Sequence, residues 1–447
     1  YTDDINRPGQ VQAYFLRSDV AHAEIKSIDT KAARSAPGVV GVFTGTDIAA
    51  DKVGGPICGW VVPCRDGSST KEPPHPLLAQ GKVRFVGDAV AVVVAETMEQ
   101  AKSAAELIDV DYNELTPVVD FVNAEKGAQI HEEVPNNCYF DWELGDESAT
   151  NKAIESAAKV VKLSVRNNRL VPNAMEPRSA LAEYDSLDES YTLHTTSQNP
   201  HLTRLVLAAF MFAIPESKLR VIAPDVGGGF GSKIYVYIEE AVCVWASKKI
   251  GRPVKWTADR TQAFLTDCHG RDHVNDVQLA LDENNKIVGL RVDTVCNLGA
   301  YLSAFSVVVP TILHGTLLSG QYDIPAIYTN VKGMATNTVN VDAYRGAGRP
   351  EATYLLERTM ETAAKEVGMD PAEFRRINFI PKDAFPYQTQ VALQYDIGDY
   401  EPHLDKAMEM IDYSNFEKRR AEAAKRGMYR GIGLSLIHIS EPTRHAS

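Results

Sequence analysis

Cysteine is scarce in this sequence. Six residues, Cys58, Cys64, Cys138, Cys243, Cys268 and Cys296, are scattered through 447, too far apart for a C-x-x-C pair or an iron–sulfur ligand run. Zinc or iron–sulfur sites made by this chain alone are not expected, nor is a secreted disulfide scaffold. The thiols are expected to be reduced and mostly buried, in a cytoplasmic protein. Positive charge is also short: a net charge of −13 speaks against a sequence-independent grip on nucleic acid, which needs clustered Lys and Arg. Long apolar runs are missing. The longest, about Leu205 to Ile214, falls well below the ~18–20 residues that span a bilayer, so a soluble protein is expected. The chain opens on YTDDINRPG, with neither Met nor a charged-then-apolar leader, and its amino terminus reads as clipped.

What is present points to a large mixed fold. With 44% hydrophobic and 23% charged residues, the chain can bury more than one core, and at least two domains are expected. The first ~120 residues read as a compact α/β unit. VQAYFLRS, AEIKSID, VVGVFTG and AVAVVVAE are strand-like, and TMEQAKSAAELI reads as a helix opened by a Thr97/Gln100 capping box. Residues 122–140 look like a connector. From Lys159 to about Asn378 strands recur with only a few helices between them, which predicts α+β rather than a doubly wound sheet.

Two glycine-rich turns carry the chemistry. In PDVGGGFGSKIYVYIEEAVCVWA a strand, LRVIA, leads into the turn, and apolar residues at helical spacing run from Ile234 to Gly251. Such a turn lets backbone N–H groups converge at a helix N-terminus, a site for an anion. The spacing breaks both common nucleotide signatures: Ser232 stands where G-x-G-x-x-G needs its last glycine and where a P-loop needs glycine before Lys233. A nicotinamide-dependent reading is the weakest for that reason. The second turn, Ala343-Tyr344-Arg345-Gly346-Ala347-Gly348-Arg349, leads into a helix with Pro350 near its start and Gly368 at its end. Its arginines present planar forks suited to phosphate or carboxylate.

TTSQNPH (Thr195–His201), GGGFGSK (Gly227–Lys233) and AYRGAGR (Ala343–Arg349) occur in an order that resembles the molybdenum hydroxylases, the xanthine dehydrogenase and aldehyde oxidase family. The likeness is greatest to the large molybdopterin-binding subunit of bacterial carbon monoxide dehydrogenase-like enzymes. It runs from Tyr1 to about Leu434. The resemblance implies an α+β chain: an α/β hammerhead domain at 1–121, the connector, a first molybdopterin-binding domain at 141–385 and the start of a second at 386–434. It implies a molybdenum–molybdopterin cytosine dinucleotide whose metal is held by the dithiolene, with no side-chain ligand. Gln198 is implied to hydrogen-bond an oxygen on the metal, Phe230 and Gly231 to offer backbone amides, and Arg345 to sit beside the metal. Gly228, Gly229, Tyr344 and Gly346 complete the implied cofactor site.

Departures from the family pattern narrow the substrate. Purine-oxidising members carry Glu where Ile234 stands, and a stacking aromatic where Ala347 stands. Ile234 and Ala347 are therefore read as substrate-pocket residues that do not suit xanthine. The Cys that bridges copper in carbon monoxide oxidation is replaced by Gly346. Hydroxylation of an aldehyde or an N-heterocycle with water as oxygen source is expected. The general-base glutamate implied by the family lies near the carboxyl end of a full-length subunit, outside this chain; Glu176, Glu239 and Glu240 are read as solvated or capping groups. The tail LIHISEPTRHAS, within 435–447, resembles translated adapter sequence and is read as non-native, which makes the chain a truncated subunit. A non-catalytic pterin-binding scaffold, or true carbon monoxide or xanthine oxidation, is the alternative. Electron transfer is implied to need a small [2Fe–2S] subunit and a medium FAD subunit.

Overall fold

The computed structural model describes residues 1–435; apart from Ser435, the segment read as a non-native tail lies outside the described residues. Before residue 120 the strands are β1 (Val11–Arg17), β2 (Ala23–Asp29), β3 (Val39–Thr44), β4 (Lys82–Val83), β5 (Ala89–Ala95) and β6 (Asp109–Glu114). They are followed by β7 (Cys138–Gly145), β8 (Lys159–Asn167), β9 (Ser179–Asp185), β10 (Ser190–Thr195), β11 (Leu219–Ile222) and β12 (Val254–Thr257). The last long strands are β13 (His273–Leu281), β14 (Ile287–Gly299) and β15 (Ile327–Ala335).

Seven strands form one mixed sheet in the order β11-β10-β9-β12-β1-β5-β3. Its strand β5, AVAVVVA, is buried along its whole length, as a continuous apolar run covered on both faces requires. The sheet crosses the expected boundary near residue 121, because β1 pairs in parallel with β12 through Val11–Val254 and Gln12–Lys255. The amino-terminal unit therefore shares a sheet with the larger unit. Phe15 meets Trp256 edge to face across this junction, 5.9 Å between centroids. A second sheet, β7-β15-β14-β13-β8, carries its own core with the helix Arg349–Val367 packed on it. A small sheet, β4-β2-β6, completes the amino-terminal unit. This is the α+β architecture the strand pattern predicts.

Local signals hold at most element ends. Thr97 accepts from the Gln100 amide in the predicted capping box. Gly251 and Gly368 close their helices in the left-handed conformation, φ 69° at each. The stretch 122–140, read as a connector, is packed: Ala124, Ile130 and Val134 are buried in a core beneath the second sheet, and β7 begins at Cys138. One expectation fails. The helix after the first glycine turn starts at Ile238, not Ile234, where the Glu240 carboxylate accepts from the Tyr237 amide and fixes the first turn. All six cysteines are free, five of them buried. Among the described residues no helix is long and apolar enough to cross a membrane.

Buried histidines give the fold a pH dependence. Burial pushes His131 and His314 down to about 4 and His273 well below its ordinary range. Burial lowers His22, His75, His194 and His269 as well. A histidine held neutral in the fold contributes stability that is whole above its unfolded value near 6.5 and is lost as pH falls toward the folded value. Asp88, pushed up to about 7, Asp342, pushed up to about 6, and Glu240 and Glu351, also raised, all by burial, work in the opposite direction. The histidines outnumber them, so the melting temperature is expected to fall between about pH 7 and pH 5. A higher melting temperature at the acid end of that range would contradict this account.

Candidate functional site

The two glycine turns and Gln198 meet at one place. Gln198 lies between β10 and the helix Pro200–Leu205, and its backbone N–H donates to the Lys233 carbonyl at 2.8 Å. Its side-chain Oε1 accepts from the backbone amides of Gly231, 2.9 Å, and Lys233, 3.3 Å. Both partners are donors, so the carboxamide orientation is set: the oxygen faces the glycine turn and Nε2 remains as a donor. The Gly231 amide, expected to be offered to a cofactor, is taken up by Gln198 instead. Among the described residues no acceptor meets the N–H groups of Gly229, Phe230 or Gly346.

At Gly231 glycine is required by contact as well as by conformation. A Cβ on Gly229 would lie 2.3 Å from Gln198 Oε1. Gly231 has φ +107°, and a Cβ there would lie 2.4 Å from the Ala343 carbonyl oxygen. The two turns are thus packed backbone to backbone. The Arg345 amide donates to the Phe230 carbonyl at 2.7 Å, and the Tyr235 hydroxyl donates to Ala343 O at 2.8 Å. Phe230 itself adopts φ 54°, and the Arg345 guanidinium lies 5.9 Å from its ring centre.

The expected anion site at a helix N-terminus does not form at the first turn. Ile234 to Tyr237 separate the glycines from the helix, whose first turn holds its own carboxylates, Glu239 and Glu240. Any ligand at this turn is met by amides, without help from a helix end. The second turn does lead directly into Arg349–Val367, with Gly348 as N-cap.

The three glutamates set aside in the sequence are not solvated. Glu176 Oε2 accepts from the Gly227 amide at 2.7 Å and from buried Lys233 Nζ at 3.2 Å, fastening the glycine turn to the preceding segment. Glu239 is fully buried between Arg178 and Arg17, at 2.7 Å from each. Glu240 caps its helix through the Tyr237 amide at 2.9 Å and also accepts from the Thr195 hydroxyl. Burial raises Glu240 above its ordinary range. Each carboxylate is committed to a structural partner.

Ile234 and Ala347 come together in one apolar cluster with Phe305, Leu313, Ala304 and Val309. Asp342 orders its edge, accepting from the Ser303 hydroxyl at 2.5 Å and the Phe305 amide at 2.9 Å. Phe305, Leu313 and Asp342 were not legible in the sequence, since nothing local marks them. The same holds for Arg271, whose two N–H groups reach the carbonyls of Tyr344 and Arg345 at 2.7 and 2.8 Å. Among the described residues no group of three or more His, Cys, Asp or Glu could hold a metal ion.

Residues 130–379 match the molybdopterin cofactor-binding domain family, and residues 1–116 match the α/β hammerhead domain of aldehyde oxidase and xanthine dehydrogenase. The carbon monoxide dehydrogenase large chain of Hydrogenophaga pseudoflava is 36% identical, over 99% of this chain and 56% of that protein. The nicotine 6-hydroxylase large subunit of Paenarthrobacter nicotinovorans is 33% identical, over 98% of this chain and 53% of that protein. Among solved structures, quinoline 2-oxidoreductase from Pseudomonas putida 86 superposes with a TM-score of 0.89 at 33% identity, covering 96% of this chain and 54% of that one. The chain spans about half the length of these relatives. Two matched domains in the expected order, around two glycine turns joined by the bond from the Arg345 amide to Phe230 O, show that this chain belongs to the xanthine dehydrogenase and aldehyde oxidase family of molybdopterin-binding oxidoreductases.

Proposed function

We propose that this chain is the cofactor-holding part of the large subunit of a molybdenum hydroxylase, oxidising an aldehyde or N-heterocycle with water as oxygen source. The observation that carries the reading is the carboxamide of Gln198 pinned on the first turn, beside a second turn packed on it, with the Gly229, Phe230 and Gly346 amides meeting no internal acceptor among the described residues. That donor set fits a pterin dinucleotide, which offers ring heteroatoms and a pyrophosphate to backbone N–H groups, and it needs no protein ligand for the metal. When bound, the cofactor supplies the two-electron oxidation. The chain's share is positioning: Gln198 Nε2 would be the donor left for the cofactor, Phe230 and Gly346 would offer amides, and Arg345 lies beside Phe230.

The apolar cluster supports the choice of substrate class. Ile234, Phe305, Leu313 and Ala347 offer no charge to a substrate, which favours a neutral aldehyde or heterocycle over an oxidised purine. The names of two relatives, a nicotine hydroxylase and a quinoline oxidoreductase, are consistent with that choice. Gly346 in place of a copper-binding Cys speaks against carbon monoxide. Since Glu176, Glu239 and Glu240 are all engaged, we propose that the general base belongs to the second half of the cofactor domain. We further propose the cytosine dinucleotide form of the cofactor, with [2Fe–2S] and FAD carried by separate small and medium subunits in the cytoplasm.

Gln198→Ala in the complete subunit tests the reading. Losing one preorganised donor is expected to lower turnover by about 10²–10³-fold, with the melting temperature and molybdenum content retained. Unchanged turnover at full molybdenum occupancy would overturn it.

A further inference from the structure

We infer that Arg271 is a positioning residue that aims the amides of the second turn. The inference rests on the reading of that turn as a cofactor site. Arg271 is buried, 7% exposed, and spends its guanidinium on the second turn and the helix beyond it. Nη1 donates to the Tyr344 carbonyl at 2.7 Å and to Glu351 Oε1 at 3.2 Å, while Nη2 donates to the Arg345 carbonyl at 2.8 Å. Its carbon lies 4.9 Å from the Tyr344 ring centre. Glu351 is fully buried in the first turn of Arg349–Val367. One cation thus ties two consecutive carbonyls to the start of the helix that carries the turn.

The consequence comes from the trans peptide plane, in which C=O and N–H point in opposite directions. Drawing the Tyr344 carbonyl inward sends the Arg345 amide the other way, where it meets Phe230 O at 2.7 Å and joins the two turns. Drawing the Arg345 carbonyl inward sends the Gly346 amide outward, and no acceptor among the described residues meets it. Arg271 therefore determines both the link between the turns and the direction of an open donor. The backbone around it is strained accordingly, with Arg271 at φ 67° and Asp272 at φ 69°. Asp272 is held in place by Arg169 at 2.8 Å and Asn297 at 3.0 Å. Left-handed non-glycine residues persist only where the surroundings over-determine them, and they gather at functional sites. Lysine cannot replace the fork, because a single ammonium on a flexible stem does not bridge two carbonyls and a carboxylate in fixed geometry.

Arg271→Lys should leave the melting temperature near that of the parent while amides at 344–348 exchange with deuterium about tenfold faster or more. Exchange in β13, just downstream, should not change. Exchange raised evenly along the chain would show Arg271 to be a general stabiliser, and unchanged exchange at 344–348 would show the turn to be self-supporting; either result overturns the proposal. Glu351→Gln keeps both carbonyl bonds and should keep the turn protected, so its loss of protection would also overturn the proposal. Molybdenum content of Arg271→Lys in the complete subunit is read separately. A fast-exchanging turn with full molybdenum would refute the cofactor reading of the turn and leave the positioning role standing.

Discussion

Replacing Arg178 by Ala is expected to lower the unfolding free energy by about 3–5 kcal/mol. Arg178 is 3% exposed and holds three elements together. Its Nε donates to Asp267 at 2.6 Å, Nη1 to Glu239 at 2.7 Å and Nη2 to the Thr266 hydroxyl at 2.7 Å. The guanidinium also lies 3.6 Å from the Tyr237 ring centre. Burial alone would raise Glu239, but Arg178 and Arg17 outweigh it and hold the carboxyl down to about 2. A group depressed in this way contributes stability that is present above its unfolded value near 4.5 and is lost as pH falls toward 2. Without Arg178, Asp267 loses its cation and Glu239 keeps only Arg17. Because the loss is that of uncompensated buried charge, adding Glu239→Gln to the variant should recover part of it. Urea unfolding of the two variants checks this; a loss under about 1 kcal/mol for Arg178→Ala would show that the network adds little.

Gly231→Ala is expected to separate the two turns. The new Cβ would meet Ala343 O at 2.4 Å at a φ of +107°, so both the contact and the backbone conformation oppose it. Relief requires the second turn to move away, breaking the bond from the Arg345 amide to Phe230 O. A displacement of about 1 Å at a preorganised site can cost about 100-fold in rate, and a loss of that order is expected in the complete enzyme. The core strands, far from the turn, should keep their amide protection. Full turnover in this variant would mean that close packing of the turns is not needed for catalysis.

The sequence was most informative where a single residue meets a local demand. Gly251 and Gly368 end helices because each accepts φ 69°, and Thr97 starts one because its hydroxyl takes the Gln100 amide. It was less reliable at the helix after the glycine turn, where apolar spacing from Ile234 continued the pattern four residues too early. The hydroxyl of Tyr237 donates to Ser232 O at 2.5 Å and accepts from the Cys268 amide at 3.0 Å, and those tertiary bonds hold Ile234 to Tyr237 out of the helix. The same limit hid the fate of the glutamates. Nothing near Glu239 in the chain announces Arg178 or Arg17.

The sequence by itself carried the helix ends and the identity of the turn residues, because glycine and capping act within a few residues of one another, and its three motifs in order carried the resemblance to the family. Tertiary structure decided which charges are paired, which amides stay open and where the amino-terminal unit joins the rest. Arg17 and Glu239 are 222 residues apart, and Arg271 and Tyr344 are 73 apart. Such pairings arise only when the shared sheet and the packed turns bring distant segments together, and the cost of leaving a buried charge or carbonyl without a partner then selects the arrangement that satisfies it.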